Sequence, residues 1–140
     1  MQNLEQVRAH NALQFANRRL NFKNVEGGEV VSKIPSLILN HGLMAVAAWA
    51  YDKKLANHEK REEQVSKRGR SDLPEQEGWG ATFDALAQHL ADSEIQLAPA
   101  ECKSVDALLG FLSEKANSES LKQCTIEAQK WLGYAKRFVR

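Results

Sequence analysis

Gly42 divides two apolar segments, and that junction constrains the fold of this chain more than any other feature. On its N-terminal side, Ser32 is placed to cap a helix whose first turn contains Pro35, where the missing N–H costs little. Ile34, Leu37, Ile38 and Leu43 then recur at helical spacing on one face. Asn40-His41-Gly42 supplies the stop, because glycine takes the left-handed conformation that closes a helix without a Cβ penalty. The next helix, from Leu43 to about Leu55, is apolar nearly all round as far as Tyr51 and is expected to sit centrally. His41 has no Ser, Cys or acidic partner at a catalytic spacing and reads as part of the helix stop.

Helical periodicity recurs along the rest of the chain. From Asn3 to about Phe22, Leu4, Val7, Leu13, Ala16 and Leu20 form an apolar face, with Arg8, Arg18 and Arg19 among the polar positions. Gly27-Gly28, within Asn24 to Glu29, is expected to turn the chain. The stretch around 56–74 is rich in Lys, Arg, Glu and Gln, with one isolated Val65 to anchor it. It reads as an exposed helix end and a mobile basic loop closing at Asp72-Leu73-Pro74. Phe83, Leu86, Ala87 and Leu90 predict a helix from about Trp79 to Ala91, with Trp79 as a core plug. After a break at Pro99, Ser104 caps a helix carrying Val105, Leu108, Leu109 and Leu112, up to about Ala116. Ser118 or Ser120 opens the last helix, whose buried stripe is Leu121, Cys124, Ala128, Trp131, Leu132, Ala135, Phe138 and Val139. Short connectors and no alternating apolar runs predict an all-α fold: one domain over residues 1–140, an antiparallel helical bundle of about five to six helices.

Charge is segregated although the net charge is only +1. Residues 53–70 carry 7 basic and 3 acidic groups, residues 71–119 carry 2 and 10, and residues 120–140 carry 5 and 1. Such a chain can present a cationic face to a polyanion and an anionic face to a basic partner or to its own copy. The longest apolar run, Leu43 to Tyr51, is too short for a membrane span, which needs about twenty residues. No targeting signal is evident, so a cytoplasmic location is expected. Cys102 and Cys124 form no secreted framework and no zinc pattern, and read as buried thiols.

The residues offer phosphate binding rather than catalysis. Sequence-neutral RNA binding needs little more than a charged groove that follows the backbone. Three sources of cations exist: Arg18, Arg19 and Lys23; Lys53, Lys54, Lys60, Arg61, Lys67, Arg68 and Arg70; and Lys136, Arg137 and Arg140. By composition alone these groups would simply solvate helix faces. Trp49 and Trp131 lie on apolar stripes and read as core rather than as base-stacking platforms. No phosphate loop, HExxH, paired-carboxylate signature or nucleophile motif is present, so neither an enzyme nor a cofactor or metal is expected. A helix-turn-helix DNA regulator is disfavoured because the helix after Gly42 is apolar and alanine-rich, whereas a recognition helix needs an exposed polar face.

Three motifs occur in one order: Leu4-Glu5-Gln6-x-Arg8-Ala9; Lys33-x-Pro35-x-Leu37-Ile38-Leu39-x-x-Gly42-Leu43; and Glu127-Ala128-x-x-Trp131-Leu132-x-x-x-Lys136-Arg137-Phe138. Together they resemble the small helical subunit of the Cmr-type (type III-B) CRISPR effector complex, over the first third and the last tenth of the chain. The resemblance implies a non-catalytic RNA-binding and scaffolding subunit in antiviral defence. Its partners would be the guide and target RNA duplex, the backbone and neighbouring Cmr subunits, and copies of itself stacked along the complex. It turns Arg18, Arg19, Lys23, Lys33, Lys53, Lys54, Lys60, Arg61, Lys136 and Arg137 into RNA-binding candidates. The alternative is a helical adaptor that touches only protein.

Overall fold

The computed structural model describes residues 3–18, 25–53 and 73–138. Among them it is an all-α bundle: α1 (Leu4–Arg18), α2 (Val25–His41), α3 (43–53), α4 (Leu73–Leu90), α5 (Val105–Gly110) running into a π-turn (Phe111–Lys115), and α6 (Ser118–Phe138). None of the described helices is long and apolar enough to cross a membrane.

The bundle is organised around α6, which packs on α1, α2 and α4. Its buried line is Cys124, Glu127, Ala128, Trp131, Leu132 and Ala135. Most of the expected stripe is there; Leu121 is only half-buried, and Val139 lies outside the described residues. Phe138 is partly exposed at its end, and a carboxylate, Glu127, sits inside the stripe. The cap is Asn117 rather than either serine, its Oδ1 accepting from the Ser120 N–H at 2.8 Å. On α1 the buried face is Val7, Ala12, Phe15 and Ala16, while Leu4 and Leu13 are about half exposed, at 50% and 48%, and Leu20 lies outside the described residues. Small Ala12 and Ala16 let α1 lie close to its neighbours, and Phe15 fills the space against Trp131 with ring centroids 5.6 Å apart.

The junction at Gly42 is as expected: φ is +88° and its N–H bonds the Ile38 carbonyl at 2.8 Å. The start of α2 is not. The helix begins at Val25 and runs through Gly27-Gly28, so the predicted turn there does not exist and Ser32 is no cap. Val31 is fully buried in line with Ile34 and Ile38, which requires a helical turn before Pro35 and outweighs the glycines' poor propensity. Gln129 of α6 ties this region down by donating to the Pro35 carbonyl at 2.9 Å.

The α3 helix buries Leu43, Val46, Ala47 and Ala50 on one face only, so it lies on the side of the bundle rather than at its centre. Trp49 is 45% exposed and stacks on buried Trp79 of α4, centroids 5.6 Å apart, so it is not the core residue its stripe suggested. Helix α4 starts at Leu73, earlier than Trp79, so positions 73 and 74 of the expected basic loop are helical; the rest of that loop lies outside the described residues. Ser104 caps α5 as predicted, its Oγ accepting from the Ala107 N–H at 3.3 Å. Asp84 fastens the same end to α4 by accepting from the Val105 N–H at 2.7 Å. Cys102 and Cys124 are free and buried, and burial pushes the Cys124 thiol up to about 11.

Candidate functional site

Where α1, α4 and α6 meet, the bundle holds a polar knot. Arg8 of α1 donates from Nε to Glu127 Oε2 at 2.7 Å and from Nη2 to Oε1 at 2.8 Å. His89 of α4, with its side chain fully buried, sits 2.9 Å from the same Oε2 through Nε2. Asn11 completes the set, its Nδ2 lying 3.0 Å from Asp92 Oδ2 and 2.9 Å from His89 Nδ1. Asp92 can only accept, so the Asn11 amide is the donor, His89 Nδ1 accepts, and Nε2 carries the hydrogen directed at Glu127. Burial alone would push the Glu127 carboxyl up; the hydrogen bonds from Arg8 and His89 outweigh it and hold the group at about 2. Arg8 is raised in turn by the same carboxylate. With both oxygens engaged, Glu127 fixes the Arg8 fork in one orientation.

That orientation matters because Arg8 also lines the surface groove between α1 and α6. The groove encloses about 420 Å³ and is walled by Glu5, Arg8, Lys130, Gly133, Tyr134 and Arg137. Positions 130, 133, 134 and 137 share one face of α6 by their three- and four-residue spacing. Tyr134 donates its hydroxyl to Glu5 Oε1 at 2.9 Å, which raises the phenol above its ordinary value. The lining carries Lys130 and Arg137 exposed, Arg8 already paired with Glu127 behind it, and Glu5 as its carboxylate, so the exposed charge of the groove is mainly positive. A second cleft of about 230 Å³, between α1 and α4, has the opposite character, with Asp84 and Asp92 beside Asn11, Gln14, Gln88 and His89.

Of the sequence candidates, Arg137 lines the groove, while Lys136 is exposed on the neighbouring face of the last α6 turn. Lys33 is exposed on α2 and Lys53 is half-buried at the end of the described α3, and neither lies among the groove residues. Arg18 closes α1 with its side chain outside the described set; Arg19, Lys23, Lys54, Lys60 and Arg61 lie outside the described residues.

A family model described as CRISPR-associated protein (Cas_Cmr5) matches residues 4–140. The chain belongs to the Cas_Cmr5 family. It is accordingly a small Cmr5-type subunit of the type III-B CRISPR effector, and membership implies association with other Cmr subunits. Neither the curated proteins nor the solved structures compared with it give a match.

The groove of this Cmr5 chain contains two cations that the candidate set omitted. In the sequence Arg8 reads as a polar position of the first helix and as part of its motif, and Lys130 carries no RNA-binding assignment. The available signal was Glu127, one acidic residue in an apolar stripe, which demands a buried cationic partner. Arg8, in the first of the three motifs, is that partner.

Proposed function

We propose that this Cmr5 subunit is a non-catalytic RNA-binding and scaffolding component of the effector, and that the α1/α6 groove faces the phosphate backbone of the guide–target RNA. The observation that carries the reading is the convergence of Arg8, Lys130 and Arg137 on one groove, with the Arg8 guanidinium held in place from behind by Glu127. Cations on a helix face neutralise phosphates without reading bases, which suits a subunit that must accept any guide sequence. The polar knot contributes no reacting group in this reading, because Glu127, His89 and Asn11 spend their hydrogen bonds on one another and on Arg8. Stacking with copies of itself and with the backbone subunits belongs to the same proposal. The acidic cleft between α1 and α4 lends it support, as a surface of opposite sign to the groove.

The test is charge reversal in the assembled effector. Lys130→Glu and Arg137→Glu are expected to leave folding intact, since exposed charges contribute little to stability. Target-RNA affinity should fall for all sequences alike, and the salt dependence should flatten by about one unit of slope per lost contact. Normal RNA affinity combined with failed assembly would make these residues protein-docking sites and favour the adaptor reading.

A further inference from the structure

Gly133 stands inside α6, where glycine costs helix stability relative to alanine through the extra freedom of the unfolded chain. Gly42 has a backbone reason for being glycine, its positive φ, but Gly133 does not. A Cβ built on Gly133 meets nothing within 4 Å, so no side chain or neighbouring helix of the described protein occupies the space. Packing among the described residues therefore does not account for the missing methyl group. Its position does: Gly133 lines the groove, with Lys130 before it and Arg137 after it on the same helix face, and Arg8 on α1 also in the lining.

We propose that Gly133 is the point of closest approach of the RNA strand, a notch in which one phosphodiester group sits against the helix between Lys130 and Arg137. The inference rests on the RNA reading of the groove and adds where along it the strand is seated. Charge complementarity selects this occupant. Two exposed cations, Lys130 and Arg137, flank the notch; Arg8 across from it is already paired with Glu127 and adds little net charge, while the groove's carboxylate, Glu5, is engaged by the Tyr134 hydroxyl. A bare helix surface lets phosphate oxygens come within reach of both flanking side chains at once, and a branched side chain at 133 would hold the strand away from them.

The experiment compares Gly133→Ala and Gly133→Leu in the reconstituted type III-B effector, with Lys130→Glu as the control for the groove itself. Melting of the free subunit should show Gly133→Ala as stable as the parent or more so; a lowered melting temperature would mean that the glycine serves the fold, overturning the proposal. In the complex, both variants should keep the parental copy number and lose target-RNA affinity, Leu more than Ala. The salt slope should flatten by about one unit for the displaced phosphate. If Gly133→Leu binds RNA like the parent while Lys130→Glu does not, the notch is wrong and the groove stands. If Lys130→Glu also binds normally, the groove reading has failed. If Gly133→Leu lowers the number of copies assembled but complete complexes bind RNA normally, the notch seats a neighbouring protein, which overturns the proposal. Should the leucine variant not fold, Gly133→Ser provides the same comparison with a smaller polar group.

Discussion

Arg8 and Glu127 meet fork to fork inside the bundle, two hydrogen bonds of 2.7 and 2.8 Å joining residues 119 positions apart. The contact fastens the first helix to the last and holds the groove's guanidinium in position. Removing one partner strands the other: Arg8→Ala leaves a buried carboxylate supported by His89 alone and should cost about 3–5 kcal/mol. Arg8→Met combined with Glu127→Gln, where an amide still accepts from His89, should cost far less than the two single changes added together. Urea unfolding of the four proteins measures the coupling, and simple additivity would show that the pair contributes nothing of its own.

Acid should weaken the fold through the same carboxylate. Glu127 is held at about 2 against an ordinary 4.5, so as pH falls the unfolded chain takes up the proton before the folded one. The stability this provides is fully present above about pH 4.5 and is lost progressively towards pH 2, in total of the order of 3 kcal/mol. Glu127→Gln should be less stable near neutrality but flatter across that window. Parallel pH profiles for the two proteins would rule this out.

Trp131 is the largest of the fully buried side chains, lying against Phe15 and stacked on His89 with centroids 5.7 Å apart. Trp131→Ala should cost about 3–5 kcal/mol. Trp131→Phe should cost clearly less, because the indole N–H it deletes is buried with no hydrogen-bond partner among the described residues. Thermal melts decide the matter; an unaltered alanine variant would mean that the ring is dispensable.

Replacing Gly42 tests backbone strain alone, since a Cβ there meets nothing within 4 Å. At φ +88°, Gly42→Ala should lose about 1–2 kcal/mol, and Gly42→Asn less, because asparagine tolerates the left-handed region. Equal losses for the two would point to a steric cause instead.

Residues whose neighbours in sequence are also their neighbours in space were legible. The Gly42 stop, the Ser104 cap and most of the α6 stripe are local devices, and each stands where its chemistry requires. The α2 start was misread because Gly27-Gly28 is a turn signal by propensity, while burial of Val31 across the bundle decides otherwise. Trp49 was misread because an apolar run says that a helix packs, not which side of it is covered. The groove was legible only in part. Arg137 stands in a run of basic residues at the chain's end, whereas Arg8 joins the site through a carboxylate and a helix that lie far along the chain.

The knot also has a consequence for a chain that is still being synthesised. Among its members, Arg8, His89 and Glu127 leave the ribosome in that order, well separated along the chain. Until α6 emerges, the first two lack Glu127, and closing so long a loop costs entropy that only the finished contact offsets. A nascent or truncated chain lacking α6 therefore exposes both unpaired groups together with the apolar faces around them. Closure of this interior thus waits on Glu127, and a chain lacking α6 cannot complete it.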